Sequence, residues 1–420
     1  MNSRSIATLD PELDAIVVAE EQRPSSGFTL IPSENHTDPE VLALLGSVLT
    51  DKYAEGYPGR RYCGGQVNYD ALENIARDRA KALFRGEHAN VQPLSGSPMN
   101  QAVYLGLLQP GDTILAMDLS HGGHLTHGDP VSHMGRLFKF VRYKTLTDSA
   151  GAIDFDGLAA AAKEHRPKLL ICGHSSYPRA LDYAAFKRVA DDVGALTMAD
   201  VSHIGGLIAA GVAANPLDAG FDILTTTTHK TLRGPRGGLI VCRAAFAKAI
   251  DKSVFPGLQG GPHMNTIAAA AFTFRKAAGV DFRAYAARIL DNARALAEAL
   301  RVAGAKLITG GTENHLMVLD TVATAGVDGD QVQKAFDQVG LVVNKQIIPD
   351  DSRPPLKPSG IRIGTPALTT RGLKPADMPR VADWVMRTIR AAAAKSNSLA
   401  DIAGEVEDAA QGFPVPGLAA

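Results

Sequence analysis

Apolar residues along this chain form short continuous runs that alternate with stretches of helical spacing. Ala89–Pro93, Asp112–Met117, Lys168–Cys172, Ala195–Ala199, Asp222–Thr226 and Gly238–Cys242 have strand length, and Leu72, Ile75, Ala76, Ala80 and Leu83 recur at helical spacing. A helix is expected over Tyr183–Val193. Apolar runs separated by amphipathic helices predict an α/β class: a mostly parallel sheet covered on both faces. The alanine-rich helical stretch Asp281–Ala303 then connects to an α+β domain holding Asn314–Asp320, Val342–Asn344, Ile361–Ile363 and a helix over Pro375–Ala394. The expected organisation is an N-terminal arm over 1–25 with one helix near Leu13 to Ala19, a large domain over 26–280 and a C-terminal domain over 281–420. The tail after Asn397 is polar, then rich in Pro and Gly, and reads as a surface covering.

Composition narrows the function classes. At 420 residues the chain is too long for one small core. Lys plus Arg number 43 against 44 Asp plus Glu, a formal net charge of -1, so no basic excess points to nucleic acid or to an acidic membrane surface. Cys63, Cys172 and Cys242 lie far apart without CxxC spacing, which argues against a disulfide framework and fits a reducing cytosol. Met1 to Glu21 is polar and acidic, and no run approaches the ~18 apolar residues of a membrane span. A cytoplasmic enzyme acting on small molecules is expected.

Thr225 to Thr231 reads Thr-Thr-Thr-Thr-His-Lys-Thr, with Gly234, Gly237 and Gly238 close behind. An amine among hydroxyls and ahead of a glycine-rich turn is hard to explain as packing. The run ending at Asp200, with His203 just after it, puts a carboxylate at the carboxyl end of another strand, where open α/β sheets bind ligands. Such a pair is what pyridoxal phosphate needs: Lys230 for the Schiff base, and Asp200 to keep the pyridine nitrogen protonated so that the ring acts as an electron sink. Ser95-Gly96-Ser97, between a strand and an apolar helix, offers amides and hydroxyls to a phosphate, although alone it is a capped turn. His121, His124 and His127 are spaced by three. They read as incidental loop residues, as a zinc site lacking acidic or thiol partners, or as an imidazole stacked on a cofactor; the pyridine cofactor favours stacking through His124. Tyr53–Gly65 is an exposed loop or part of a site, with Glu55 suited to shuttle a hydroxyl proton. Arg362, between apolar neighbours on a strand, fits a substrate carboxylate or a structural salt bridge. The glycines of Phe255–Pro262 let backbone approach a phosphate.

In this order the pieces resemble serine hydroxymethyltransferases, from Phe28 to Phe413. The motifs are Ile31–Asn35, Gly46–Thr50, Lys52–Gly59, His121–Gly128, Thr225–Leu232, Gly257–Pro262 and Ser359–Pro366. The resemblance implies fold-type I of the pyridoxal 5'-phosphate enzymes (aspartate aminotransferase-like), with a mostly parallel seven-stranded sheet in the large domain. It implies an obligate homodimer with shared sites, either alone or paired into a tetramer. Its substrates would be a small amino acid and tetrahydrofolate, with no nucleic acid, membrane or metal partner. Lys230 then resembles the Schiff-base lysine, Asp200 the ring-nitrogen partner and His124 the stacking imidazole. His203 and Ser175 match residues around the phenolic oxygen. Ser95, Gly96 and Ser97 match the phosphate loop, completed by Tyr53 and Gly261 from the neighbouring chain. Arg362 and Ser33 match carboxylate contacts, and Glu55 the acid/base residue, also from the neighbour. Leu119, Gly123 and Leu125 match contacts to the pterin, with Tyr62 over it.

Four positions depart from the family pattern. Cys63 stands where the pattern has a second tyrosine beside the substrate's α-carbon, Gln346 where it has an asparagine at the pterin edge, Leu94 for a histidine and Pro98 for a glutamine. The space at Cys63 would take a methyl group on Cα. This leads to the expectation of a hydroxymethyltransferase acting on 2-methylserine and D-alanine. The alternatives are the glycine/serine enzyme, a folate-independent β-hydroxy amino acid aldolase, and a catalytically silent binding protein, which the retained Lys230, Asp200 and Glu55 speak against.

Overall fold

The computed structural model describes residues 3–147, 151–396 and 398–418, so Met1 and Asn2 of the arm and Asn397, Ala419 and Ala420 of the tail lie outside the described residues. The chain forms two compact units: Glu40–Ala287, and Met1–Pro39 with Arg288–Ala420. The expected boundaries differ from these. Residues 26–39 join the C-terminal unit because Phe28–Thr29 pairs in parallel with Leu341–Val342 and Leu30 is buried in that unit's core. The helix Val280–Val302 runs across the expected break at 280/281 without interruption.

In the first unit seven strands form one sheet: β1 (His88–Asn90), β2 (Thr113–Met117), β3 (Lys139–Tyr143), β4 (Leu169–Gly173), β5 (Leu196–Asp200), β6 (Ile223–Thr227) and β7 (Gly238–Cys242). Their spatial order is β1-β7-β6-β5-β4-β2-β3. β7 is antiparallel to β1 and β6, and the other pairs are parallel. β4, β6 and β7 are buried along their whole length, which is why their sequences read as unbroken apolar or threonine runs. β3 was invisible as a run because it is an edge strand carrying Lys139 and Arg142, the charged pattern that protects an edge. The helix Tyr183–Val193 forms as expected. Asp182 caps it by accepting from the Ala185 amide, and Gly194 ends it in the left-handed region at φ 70.

The helix Val67–Phe84 buries Tyr69, Glu73, Ala76, Ala80, Leu83 and Phe84, while Ile75 is exposed. The expected apolar stripe is therefore rotated enough to bring Glu73 inside. There it pairs with Arg61 (2.7 Å) and accepts from Gln92 (2.9 Å). Burial, opposed by Arg61 and Gln92, raises the Glu73 pKa.

The second unit has a four-stranded antiparallel sheet in the order Lys306–Leu307, Leu316–Asp320, Gly360–Gly364, Asn344–Gln346. The run expected over Val342–Asn344 splits: Leu341–Val342 pairs with Phe28–Thr29, and Asn344–Gln346 joins this sheet. The tail is also corrected. It forms a helix, Leu399–Gln411, because Ile402, Val406 and Ala410 recur every fourth residue and all three are buried.

Buried Arg371 ties the ends of this unit together. Its guanidinium donates to the carbonyls of Phe413 (2.6 Å), Pro24 (2.8 Å), Ala410 (3.0 Å) and Gly27, and it lies 4.4 Å from the Phe28 ring. Burial lowers its pKa to about 10, so it stays charged at neutral pH. Replacing it with methionine leaves four carbonyls without this donor. Arg371→Met is expected to destabilise the fold by about 3 kcal/mol or more, read as an earlier urea midpoint.

Candidate active site

The carboxyl ends of β2, β4, β5 and β6 bring together most of the residues singled out in the sequence. Asp200 closes β5 and is buried. Its Oδ2 accepts from Asn100 Nδ2 (2.8 Å) and His127 Nε2 (3.1 Å), and its Oδ1 accepts from the Ser202 amide (3.1 Å). Burial alone would raise its pKa, but the hydrogen bonds donated by His127 and Asn100 outweigh it. The carboxyl is held well below the usual carboxylate range.

His124, His127 and Leu125 follow β2 on a tight turn. His124 Nδ1 accepts from the Thr126 amide (3.2 Å) and lies 2.8 Å from the Thr126 hydroxyl. Gly123 is required here, since a Cβ would come 2.3 Å from the Met117 carbonyl oxygen. The Ser175 amide donates to the Gly122 carbonyl (2.7 Å), which joins the end of β4 to this turn. His203 follows β5, and its carbonyl accepts from Thr231 Oγ1 (3.0 Å), one residue beyond Lys230.

Lys230 lies just beyond β6 and is 9% exposed. The loop carrying it closes on itself: the Gly234 amide donates to the Thr228 carbonyl (2.7 Å), and the Thr228 amide to the Gly237 carbonyl (3.2 Å). Beside β6, Ser95 is the extended N-cap of the helix Gly96–Leu107 and makes no side-chain cap bond. The amides of Gly96 and Ser97 therefore face outward from the helix start, where the dipole favours an anion. A Cβ on Gly96 would meet Thr227 Cγ2 at 2.9 Å, so this helix start sits directly on the strand that leads to Lys230.

Tyr53, Glu55 and Gly261 form a second cluster in the same unit. A Cβ on Gly261 would lie 3.1 Å from Tyr53 Cδ1 and 3.6 Å from Glu55 Cγ. Tyr62 packs edge-on against Phe255 (5.6 Å between centroids), and with Glu55 and Phe255–Gly260 it lines a shallow pocket. Tyr53 is 69% and Tyr62 73% exposed, and Cys63 is exposed beside them. Arg61 organises the cluster, donating to Asp70 (2.8 Å), Glu73 (2.7 Å) and the Ala54 carbonyl (2.7 Å). Gln259 links it to the segment that leads into Ser95, accepting from the Leu94 amide (3.1 Å) and donating to the Gln92 carbonyl (2.7 Å).

Arg362, Ser33 and Gln346 belong to the other unit. Arg362 is buried on Gly360–Gly364 and donates to Asn344 Oδ1 (3.1 Å). Burial lowers its pKa to about 10, with Glu34 opposing, so it remains a cation at neutral pH.

Sequence reasoning missed Asn100, Thr126 and the Arg61–Glu73–Gln92 group. A polar residue inside an apolar helix start was the available signal for Asn100.

No helix among the described residues is long and apolar enough to cross a membrane. A family model described as serine hydroxymethyltransferase matches residues 6–385. The chain is 51% identical to the serine hydroxymethyltransferase of Acidobacterium capsulatum, over 99% of this chain and 96% of that protein. It is 50% identical to that of Desulfotalea psychrophila, over 97% and 95%. For that of Myxococcus xanthus the identity is 48%, over 99% and 98%. The chain therefore belongs to the serine hydroxymethyltransferase family, whose members are pyridoxal-phosphate-dependent transferases with tetrahydrofolate as co-substrate.

Proposed function

We propose that this chain moves the hydroxymethyl carbon of serine to tetrahydrofolate, leaving glycine, and runs the reverse. One observation carries the reading: Asp200, His124, Ser95–Ser97 and Lys230 lie at the carboxyl ends of strands of one mostly parallel sheet, with the carboxylate held ionised. These residues fit pyridoxal phosphate. An uncapped helix start suits its phosphate, the buried carboxylate its ring nitrogen and the near-buried amine its aldehyde. When bound, the cofactor supplies an electron sink for the pair left at the substrate's α-carbon.

The chain's own groups do the rest. Lys230 presents its amine to a carbonyl. Asp200 keeps a proton on the ring nitrogen. His124 gives a flat face to the ring, with Ser175 and His203 at the phenolic oxygen. Arg362 and Ser33 hold the substrate carboxylate, and Glu55 holds or moves the proton of the β-hydroxyl. Leu119, Gly123, Leu125, Tyr62 and Gln346 contact the folate. The assembly is a homodimer in which Tyr53, Glu55 and Gly261 serve the neighbour's site. This is supported by the exposure of Tyr53 and Tyr62 and by the outward apolar residues Leu13 and Ile16 of the N-terminal helix Pro11–Gln22.

The relatives' names support glycine and serine over the 2-methylserine and D-alanine pair first expected from Cys63. Cys63 still favours a second reading, in which D-alanine is also accepted, because a thiol leaves room that a phenol ring would fill. Purified enzyme given glycine and D-alanine separately, with methylene-tetrahydrofolate, is expected to turn over glycine faster. Product from D-alanine alone would defeat the main reading. Serine cleavage at the same rate without tetrahydrofolate would point instead to a folate-independent aldolase.

A further inference from the structure

Two residues outside the roles above determine how Asp200 can be used. Asn100 must turn its amide nitrogen to Asp200, because a carboxylate only accepts. The second hydrogen of that nitrogen goes to Thr126 Oγ1 (2.8 Å), and Asn100 Oδ1 accepts from Thr225 Oγ1 (3.0 Å). Both hydrogens of the amide nitrogen are thus committed, and the amide's orientation is fixed by chemistry. His127 is fixed in the same way. Its Nδ1 accepts the backbone N–H of His124 (3.2 Å), so Nε2 carries the proton donated to Asp200.

Both lone-pair directions of Asp200 Oδ2 are therefore taken. Oδ1 accepts one backbone amide, from Ser202, and has a lone pair to spare. Thr126 extends the chain of bonds. Having accepted from Asn100, its hydroxyl donates to His124 Nδ1 (2.8 Å).

We propose that Asn100 and His127 are positioning residues that commit Asp200 to the cofactor's ring nitrogen through Oδ1, with Asn100 also orienting the His124 ring through Thr126. The proposal rests on reading Asp200 as the ring-nitrogen partner. Removing either donor frees a lone pair on Oδ2, so the carboxylate rotates or takes up water, and its hydrogen bond to the ring nitrogen loosens. Contacts to the phosphate and the aldehyde are untouched. A purely structural role would weaken every contact alike.

Apoenzyme is titrated by equilibrium dialysis with pyridoxal phosphate and with its 1-deaza analogue, in which carbon replaces the ring nitrogen. The wild type is expected to bind the natural cofactor more tightly. Asn100→Ala and His127→Phe are each expected to weaken the natural cofactor about tenfold and the analogue by less than about twofold. His127→Gln, which keeps a donor, is expected to recover most of that loss. Equal weakening of both ligands, or of neither, overturns the proposal. If Asn100→Ala does not fold, the two His127 variants carry the same comparison. A wild type that binds both ligands equally well removes Asp200 as the ring-nitrogen partner and the proposal with it. A wild type that binds neither overturns the cofactor reading itself.

Discussion

Lys230→Ala is expected to lower serine turnover by about a thousandfold or more while the fold is retained. The loop around Lys230 is closed by backbone bonds between Thr228 and both Gly234 and Gly237, and Thr231 Oγ1 bonds the His203 carbonyl; an alanine at 230 leaves these bonds in place. Lys230 as a whole is 9% exposed, so bulk water has little access to it. Steady-state kinetics with serine and tetrahydrofolate, together with the absorbance of bound cofactor, check this. Loss of turnover without loss of folded protein is the expected pair of results. Lys230→Arg should not recover the activity, because a guanidinium keeps its proton and cannot act as the nucleophile. An alanine variant within about tenfold of the wild type would falsify the assignment of Lys230.

Arg362→Ala is expected to reduce kcat/KM for serine by about a thousandfold, the scale of two charge-assisted hydrogen bonds to a carboxylate. Arg362 is buried on a central strand, where taking its charge out of water is costly, and Glu34 offsets this only in part. The cost makes sense if a substrate carboxylate completes the environment. The loss should fall mainly on KM if Arg362 binds serine and the reacting state equally, and on kcat if it orients the bond to be broken. Arg362→Lys should recover little, since a point charge does not reproduce the two-pronged contact and Asn344 would lose its donor. If instead Arg362→Ala lowers the urea midpoint and leaves kinetics unchanged, the arginine is a structural cation.

Much of this molecule was legible in one dimension. Five of the six runs read as strands are strands of the large sheet almost as read, because a strand buried on both faces carries few charged residues; of the run Ala89–Pro93 only Ala89 and Asn90 are in a strand, which begins at His88. The helix Tyr183–Val193 was equally legible, since its caps are local chemistry. Lys230 and Asp200 stood out because an amine among threonines and a carboxylate ending an apolar run have no packing purpose. The helix Leu399–Gln411 was lost against polar neighbours, its three buried residues being too sparse to read as a run. The edge strand Lys139–Tyr143 was lost because edges select for charge.

The sequence by itself determined the sheet, the residues at its strand ends and the family, since these rest on local patterning and on motifs that survive without neighbours. Only the tertiary structure decided which donors meet. Asn100 and His127 converge on one oxygen of Asp200 from positions 100 and 73 residues away. Glu73 turned inward to Arg61 at the expense of Ile75. Residues 26–39 went to the C-terminal unit. Each of these outcomes follows from burial. Once water is excluded, a polar group must find its partner wherever the fold places one, and distance along the chain carries no record of that choice.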